Sequence, residues 1–197
     1  SGTGNCAFGD NALSSNLGAS NNSAFGYQAL QLNTTGISNC AFGAFSLSNC
    51  TIGVANTAHG VSALQALTSG QSNTGIGDGA LAGVIASSNN TAIGAPSLNN
   101  TTTGANNSAL GSSAGSTNIS GSNNLYLGEG ADANAGTYSY SIAIGSGAIV
   151  TASNQLSIGS PTSGQGVTVA NSAGSASGEY LELLVNGTAY KLSLLNP

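Results

Sequence analysis

Apolar and polar positions recur along this chain at one fixed interval. A five-residue unit runs Asn, small residue, Ala, large apolar residue, Gly. It ends at Gly9, Gly26, Gly43, Gly60, Gly77, Gly94, Gly111, Gly128 and Gly145, each 17 residues after the last, and Gly159 follows after 14. Immediately before these glycines stand Phe8, Phe25, Phe42, His59, Ile76, Ile93, Leu110, Leu127 and Ile144. Two before them the residue is mostly Ala, from Ala7 to Ala143, with Gly75 and Tyr126 as departures. Four before stand Asn5, Asn22, Asn39, Asn56, Asn73, Asn90, Asn107 and Asn124. Four after come Leu13, Leu30, Leu47, Leu64, Leu81 and Leu98, then Gly115, Asp132 and Ile149. So strict an interval marks a repeat architecture.

Seventeen residues are too few for a repeat of two helices, which takes about 33 or more. Alternation within the unit has period two, which predicts one short strand per coil. The column Thr34, Thr51, Thr68, Ile85, Thr102 and Ile119 predicts a second strand, because β-branched residues favour pleated backbone. Gly36, Gly53, Gly70, Gly104 and Gly121 are expected to turn corners at positive φ. Stacked coils form parallel ladders at about 4.8 Å per step, so nine coils make a rod about 40 Å long. The expected fold is all-β: a parallel β-solenoid or β-roll of about nine 17-residue coils. Phe, Ile and Leu are expected to fill its interior, with Ala on the opposite face of the strand. The Asn column has two readings, an amide ladder between coils or a set of turn caps.

The repeat fades near residue 160, giving three expected segments: a roll over 1–160, a Gly/Ser-rich linker over 161–178 and a β-hairpin over 179–197. Asn186-Gly187 between apolar-rich runs signals a type I′ turn. That turn places Val185 against Thr188, Leu183 against Tyr190, Leu181 against Leu192 and Glu182 against Lys191.

Composition narrows the function classes. Only 4% of residues are charged, and the net charge is −5 with a single Lys or Arg. Nucleic-acid binding needs Lys and Arg against phosphates, so no nucleic-acid partner is expected. No run of 18 apolar residues occurs, so no membrane-inserting helix is expected. No signal peptide is visible, and the missing initiator Met suggests a processed chain or part of a longer one. Cys6, Cys40 and Cys50 lack zinc-ligand spacing. Cys6 and Cys40 share a column two coils apart, roughly 9.6 Å on the ladder spacing. That exceeds the roughly 7 Å a disulfide spans, so no intrachain bridge is expected.

The units Asn90-Thr91-Ala92-Ile93-Gly94 and Ser141-Ile142-Ala143-Ile144-Gly145 resemble the head repeats of YadA-like trimeric autotransporter adhesins. The 17-residue form also resembles repeats in phage tail fibres and in fibres of large algal viruses, across roughly Gly4 to Ser160. The ending Val-Asn-Gly-Thr-Ala-Tyr-Lys-Leu-Ser-Leu-Leu is similar to C-termini of phage and algal-virus structural proteins. The resemblance implies a left-handed homotrimeric roll. Adhesin coils are usually near 14 residues, and the basic neck that follows adhesin heads is absent here. Those departures favour a virion appendage over a bacterial cell-surface adhesin head. The expected role is a structural fibre segment for host attachment, with host cell-surface glycan as ligand class and other virion or surface structural proteins as partners. A pure structural spacer is the second reading, and an ice-binding solenoid the third, its Thr array interrupted at Ile85 and Ile119.

Catalytic chemistry is not expected. One His, one Lys and six carboxylates lie scattered along the sequence, whereas acid–base catalysis needs positioned pairs. Gly75-Ile76-Gly77-Asp78-Gly79 opens no helix, so it is no phosphate loop. The Asp per coil of a Ca²⁺-binding nonapeptide repeat is missing, and no cofactor or metal is expected. His59 is expected as a neutral imidazole stacked between Phe42 and Ile76; if its column faced a threefold axis, three copies would surround an ion. Exposed aromatics suit glycan binding, which leaves Tyr27, Phe45, Tyr138 and Tyr140 as off-column candidates. The repeat departs most between Glu129 and Tyr140. There Asp132 replaces the column Leu, Tyr138 a corner Gly and Tyr140 an Asn or small residue, so Asp132, Tyr138 and Tyr140 form the candidate ligand site.

Overall fold

The computed structural model describes residues 2–159, and the backbone of two further strands at 180–185 and 188–193. The chain divides into two compact units, Ser1–Val167 and Thr168–Pro197. The linker expected over 161–178 and the turn at Asn186-Gly187 lie outside the described residues.

The first unit is a parallel β-solenoid. One strand per coil builds a ten-stranded sheet. Its members in spatial order are β1 (Cys6–Phe8), β2 (Ser23–Phe25), β3 (Cys40–Phe42), β4 (Thr57–His59), β5 (Thr74–Ile76), β6 (Thr91–Ile93), β7 (Ser108–Leu110), β8 (Leu125–Leu127), β10 (Ile142–Ile144) and β12 (Leu156–Ile158). A minor pair, β9 (Asp132–Ala133) with β11 (Ile149–Val150), joins the last coils. Every neighbour in the ten-stranded sheet pairs parallel, shifted by 17 residues as in Ala58↔Gly75 and His59↔Ile76, except the last pair, where Ile144 meets Ile158 after 14. In the second unit β13 (Tyr180–Val185) pairs antiparallel with β14 (Thr188–Ser193), in the register Val185↔Thr188, Leu183↔Tyr190 and Glu182↔Lys191.

The alternation within each strand is as expected, but its faces are reversed. Ala24, Ala41, Ala58, Ala92, Ala109 and Ala143 point inward and are buried. The large residues before the repeat glycine point outward: Phe8, His59, Ile76, Ile93, Leu110, Leu127 and Ile158 are exposed, and Phe25, Phe42 and Ile144 are half-buried. A narrow interior explains this. A Cβ added at Gly75 would lie 3.1 Å from the Ala80 carbonyl oxygen and 3.4 Å from Leu64 Cγ. A methyl group already fills the gap, so a phenyl ring has no place there. His59 is accordingly on the outer face, its ring 5.8 Å from that of Phe42 and tilted 60°.

The interior holds two further columns. Leu30, Leu47, Leu64, Leu81 and Leu98 form the first, as expected. The second, unforeseen from the sequence, is Asn33, Cys50, Leu67, Val84, Thr101 and Asn118, all buried. Its mixed chemistry hid it, because no hydrophobic pattern marks a column that alternates amide, thiol and alkyl groups.

The Asn column is the ladder. Asn56 Oδ1 accepts from the Asn73 backbone N–H at 3.0 Å and from Asn73 Nδ2 at 3.1 Å. Asn56 Nδ2 in turn donates to the Gly70 carbonyl at 2.8 Å. The bond to the next backbone N–H recurs from Asn5 through Asn124, which reaches Ser141. Each amide therefore closes its own coil and ties it to the next.

The corners are made differently from expectation. Gly36, Gly53, Gly70, Gly104 and Gly121 are not among the positive-φ residues. They are glycine because space is short: a Cβ at Gly53 would lie 2.7 Å from Cys50 Sγ and 2.9 Å from Asn56 Nδ2. Left-handed backbone is carried instead by several non-glycine columns, among them the leucine column, where φ lies between 48° and 55°. Non-glycine residues there cost about 1–2 kcal/mol each. Burial of the side chain and an inter-coil bond, such as Leu64 N–H to the Ala80 carbonyl at 2.9 Å, offset that cost. The Thr column forms no second strand. Thr34, Thr51 and Thr68 instead pass both backbone N–H and side-chain Oγ1–H to the carbonyl one coil on.

Candidate functional site

The three residues that break the repeat near the C-terminal end of the roll have distinct places. Asp132 is 7% exposed. Ser116 Oγ and the Thr117 N–H donate to its Oδ2 at 2.9 Å each, and the Ala133 N–H donates to Oδ1 at 2.8 Å. Its acceptor positions are thus taken up by the chain, and these bonds offset the desolvation of an inward carboxylate. Tyr138 is half-buried and packs against the interior, and its carbonyl accepts from Asn124 Nδ2 at 2.8 Å in place of the usual corner glycine. Tyr140 turns the next corner at φ 58° and is 65% exposed. Of the three, only Tyr140 presents its side chain fully to solvent.

A compensating exchange explains much of this irregularity. Tyr126 replaces the inward Ala and is fully buried. Its ring occupies the space that the leucine column gives up at Gly115, where an added Cβ would lie 2.7 Å from Tyr126 Cδ2. Burial, and secondarily the charge of Asp132, pushes the Tyr126 phenol well above its usual range. Its Oη has no hydrogen-bond partner among the described residues. Ala→Tyr and Leu→Gly are therefore two halves of one packing change.

The cysteines are free. Cys6 and Cys40 lie on the outer face of the sheet, and Cys50 lies inside. Burial raises the Cys40 thiol and pushes Cys50 up to about 11, the latter partly opposed by a hydrogen bond from the Gly53 backbone. Only the thiolate is a good nucleophile, so the buried Cys50 is chemically inert in the fold. Among the described residues no three His, Cys, Asp or Glu side chains converge as a metal site, and no helix is long and apolar enough to cross a membrane.

Two surface features carry more. The first is the outer face of the ten-stranded sheet. Phe25 and Phe42 stack face to face at 4.6 Å with Phe8 at 6.5 Å beyond, and the line continues through His59, Ile76, Ile93, Leu110, Leu127, Ile144 and Ile158. The companion column reads Cys6, Ser23, Cys40, Thr57, Thr74, Thr91, Ser108, Leu125, Ile142 and Leu156, so no Asp, Glu, Lys or Arg interrupts this face. The second is an aromatic corner, where Tyr27 and Phe45 meet edge to face at 5.2 Å and 84°. Tyr27 and Phe45 were legible as off-column aromatics; that they touch across two coils was not.

No family model, curated protein or solved structure matches this chain.

Proposed function

We propose that the chain is a shaft segment of a homotrimeric fibre on a virus or phage particle, serving host attachment and carrying no catalytic activity. The observation that carries this reading is the uncharged apolar stripe along the whole length of the sheet. Exposed contiguous apolar surface marks an interaction site, and a long one on a rod calls for an equally long partner. A second copy in parallel register supplies one.

Cyclic threefold assembly needs two different patches on each chain, because its contacts are heterologous. The roll offers a second uncharged strip in the column Leu17, Thr34, Thr51, Thr68, Ile85, Thr102 and Ile119, in which Leu17, Ile85 and Ile119 are exposed. Those threonine hydroxyls each donate to the carbonyl one coil on. The exposed carboxylates Asp10, Asp78 and Glu129 all fall at one position, directly after the repeat glycine. That edge keeps its charges in water while the two uncharged faces pack. A trimer of parallel ladders is a stiff rod, which suits a fibre. A bacterial adhesin head and a pure spacer would use the same construction.

Location tests this reading. An antibody to the roll should label appendages on the surface of intact particles from the source sample. Label confined to particle interiors, or found only on material without particles, would contradict it.

A further inference from the structure

Tyr27 and Phe45 break the rules of the columns they occupy. The position after the repeat glycine otherwise holds small residues, a valine or an acid, as in Ala44, Val61 and Asp78. The next position turns in the left-handed region, and Gly79, Gly130 and Gly147 show the unstrained solution there. Phe45 takes that turn at φ 59°. Bulky residues at positive φ are true outliers, and this ring is only half-buried, so little packing compensates. Strain held at a surface position points to a role outside folding.

The surroundings indicate which role. Tyr27 is 45% exposed, and the edge-on Phe45 ring fixes its tilt. Gln28 Nε2 donates to Tyr27 Oη at 3.0 Å, which leaves the phenol O–H free to donate outward. One coil away, Asp10 lies in the Tyr27 column and Asn11 in the Gln28 column, both exposed. The Gln28 N–H is anchored on the Asp10 carbonyl at 2.9 Å, while the Asp10 carboxylate makes no hydrogen bond among the described residues. A flat apolar ring with a carboxylate, a phenol and an amide beside it matches a pyranose: one face of C–H groups, and a rim of hydroxyls that donate and accept.

We propose that this corner binds a neutral hexopyranose, with Tyr27 as the stacking platform, Asp10 and Gln28 as hydroxyl partners, and Phe45 as a positioning residue. The negative Asp10 disfavours anionic sugars. The corner lies on the acidic edge, with Tyr27 two residues past Phe25 of the outer stripe, and a trimer carries three copies of it, which raises avidity. This deepens the attachment reading above and rests on it. Its test is independent of particle location and of chain mass.

Saturation-transfer NMR on the full chain would use methyl β-galactoside, methyl β-glucoside, methyl α-mannoside and N-acetylglucosamine as neutral probes, with sialyllactose as the charged one. At least one neutral probe should show transfer to its ring C–H protons. Tyr27→Ala should weaken that signal about tenfold, the size of one lost aromatic contact, and Asp10→Asn should weaken it less. Phe45→Gly should also reduce binding while leaving the melting temperature unchanged or higher, a combination that a purely structural Phe45 would not give. Tyr140→Ala should change nothing. No transfer to any neutral probe, a stronger response to sialyllactose, or binding that survives Tyr27→Ala in a folded protein would overturn the proposal.

Discussion

Replacing Asn56 by alanine should lower the stability of the roll by about 4 kcal/mol, from a position with no charge and no large side chain. The change removes the acceptor of the Asn73 backbone N–H at 3.0 Å and the donor to the Gly70 carbonyl at 2.8 Å. Both stranded groups are deep inside, and Asn39, Asn56 and Asn73 are at most 1% exposed. A buried polar group left without its partner costs about 1–3 kcal/mol, and two are stranded here. Asn39 Oδ1 also loses the Asn56 side-chain donor at 3.1 Å. Because stability in a stacked repeat is a sum of coil and interface terms, the weak interface can split unfolding into two transitions. Denaturant melts at fixed protein concentration measure this, with Asn49→Ala as the control. Asn49 is exposed and its side chain is outside the ladder, so that change should stay within about 0.5 kcal/mol. Equal effects at the two sites would remove the ladder from the account.

Gly77→Ala should be more damaging still, beyond about 4 kcal/mol, the range in which single substitutions become exceptional. The obstacle is backbone. A Cβ at Gly77 would lie 2.7 Å from the carbonyl carbon of Gly94 and 2.8 Å from its oxygen, and φ is 131°. Gly60, Gly94 and Gly111 meet their neighbours in the same column in the same way, so neither coil can yield without disturbing the next. Gly130→Ala is the matched control. Its φ is 60° but nothing lies within 4 Å of the added carbon, so only the left-handed backbone term of about 1–2 kcal/mol applies. Circular dichroism melts of the two variants should differ by about 5–10 °C in midpoint, given about 2–4 °C per kcal/mol for a domain of this size. Similar midpoints would contradict coil contact through this glycine column.

The period was written openly in the sequence, and with it the parallel solenoid, the strand in each coil and the leucine interior. Which face of the strand turned inward was not. Period two separates Ala41 from Phe42 but carries no sign, and size argued for Phe inside. The deciding quantity is the width of a 17-residue coil, seen at Gly75, where even a methyl group is in close contact with Leu64. The Asn readings were separable only by burial: turn caps would stand at the surface, whereas Asn22 to Asn107 are enclosed. The column through Asn33, Cys50 and Leu67 was invisible because chemically unlike residues share it. At the candidate site, sequence marked Asp132, Tyr138 and Tyr140 as irregular, yet irregularity also arises from packing, as Tyr126 with Gly115 shows. The Tyr27–Phe45 contact depends on two residues 18 apart in sequence falling on adjacent coils, which becomes readable only once the register is fixed.

The trimeric shaft itself is tested most directly by mass. Light scattering at micromolar concentration should give three times the 18.9 kDa of one chain. The double variant Ile76→Glu and Ile93→Glu places two carboxylates on the outer face, where both native side chains are exposed in the single chain. It should fall to the monomer mass and keep the β-rich circular dichroism spectrum of the roll. A wild-type chain that remains a folded monomer at that concentration, or a trimer indifferent to both substitutions, would contradict assembly through this face.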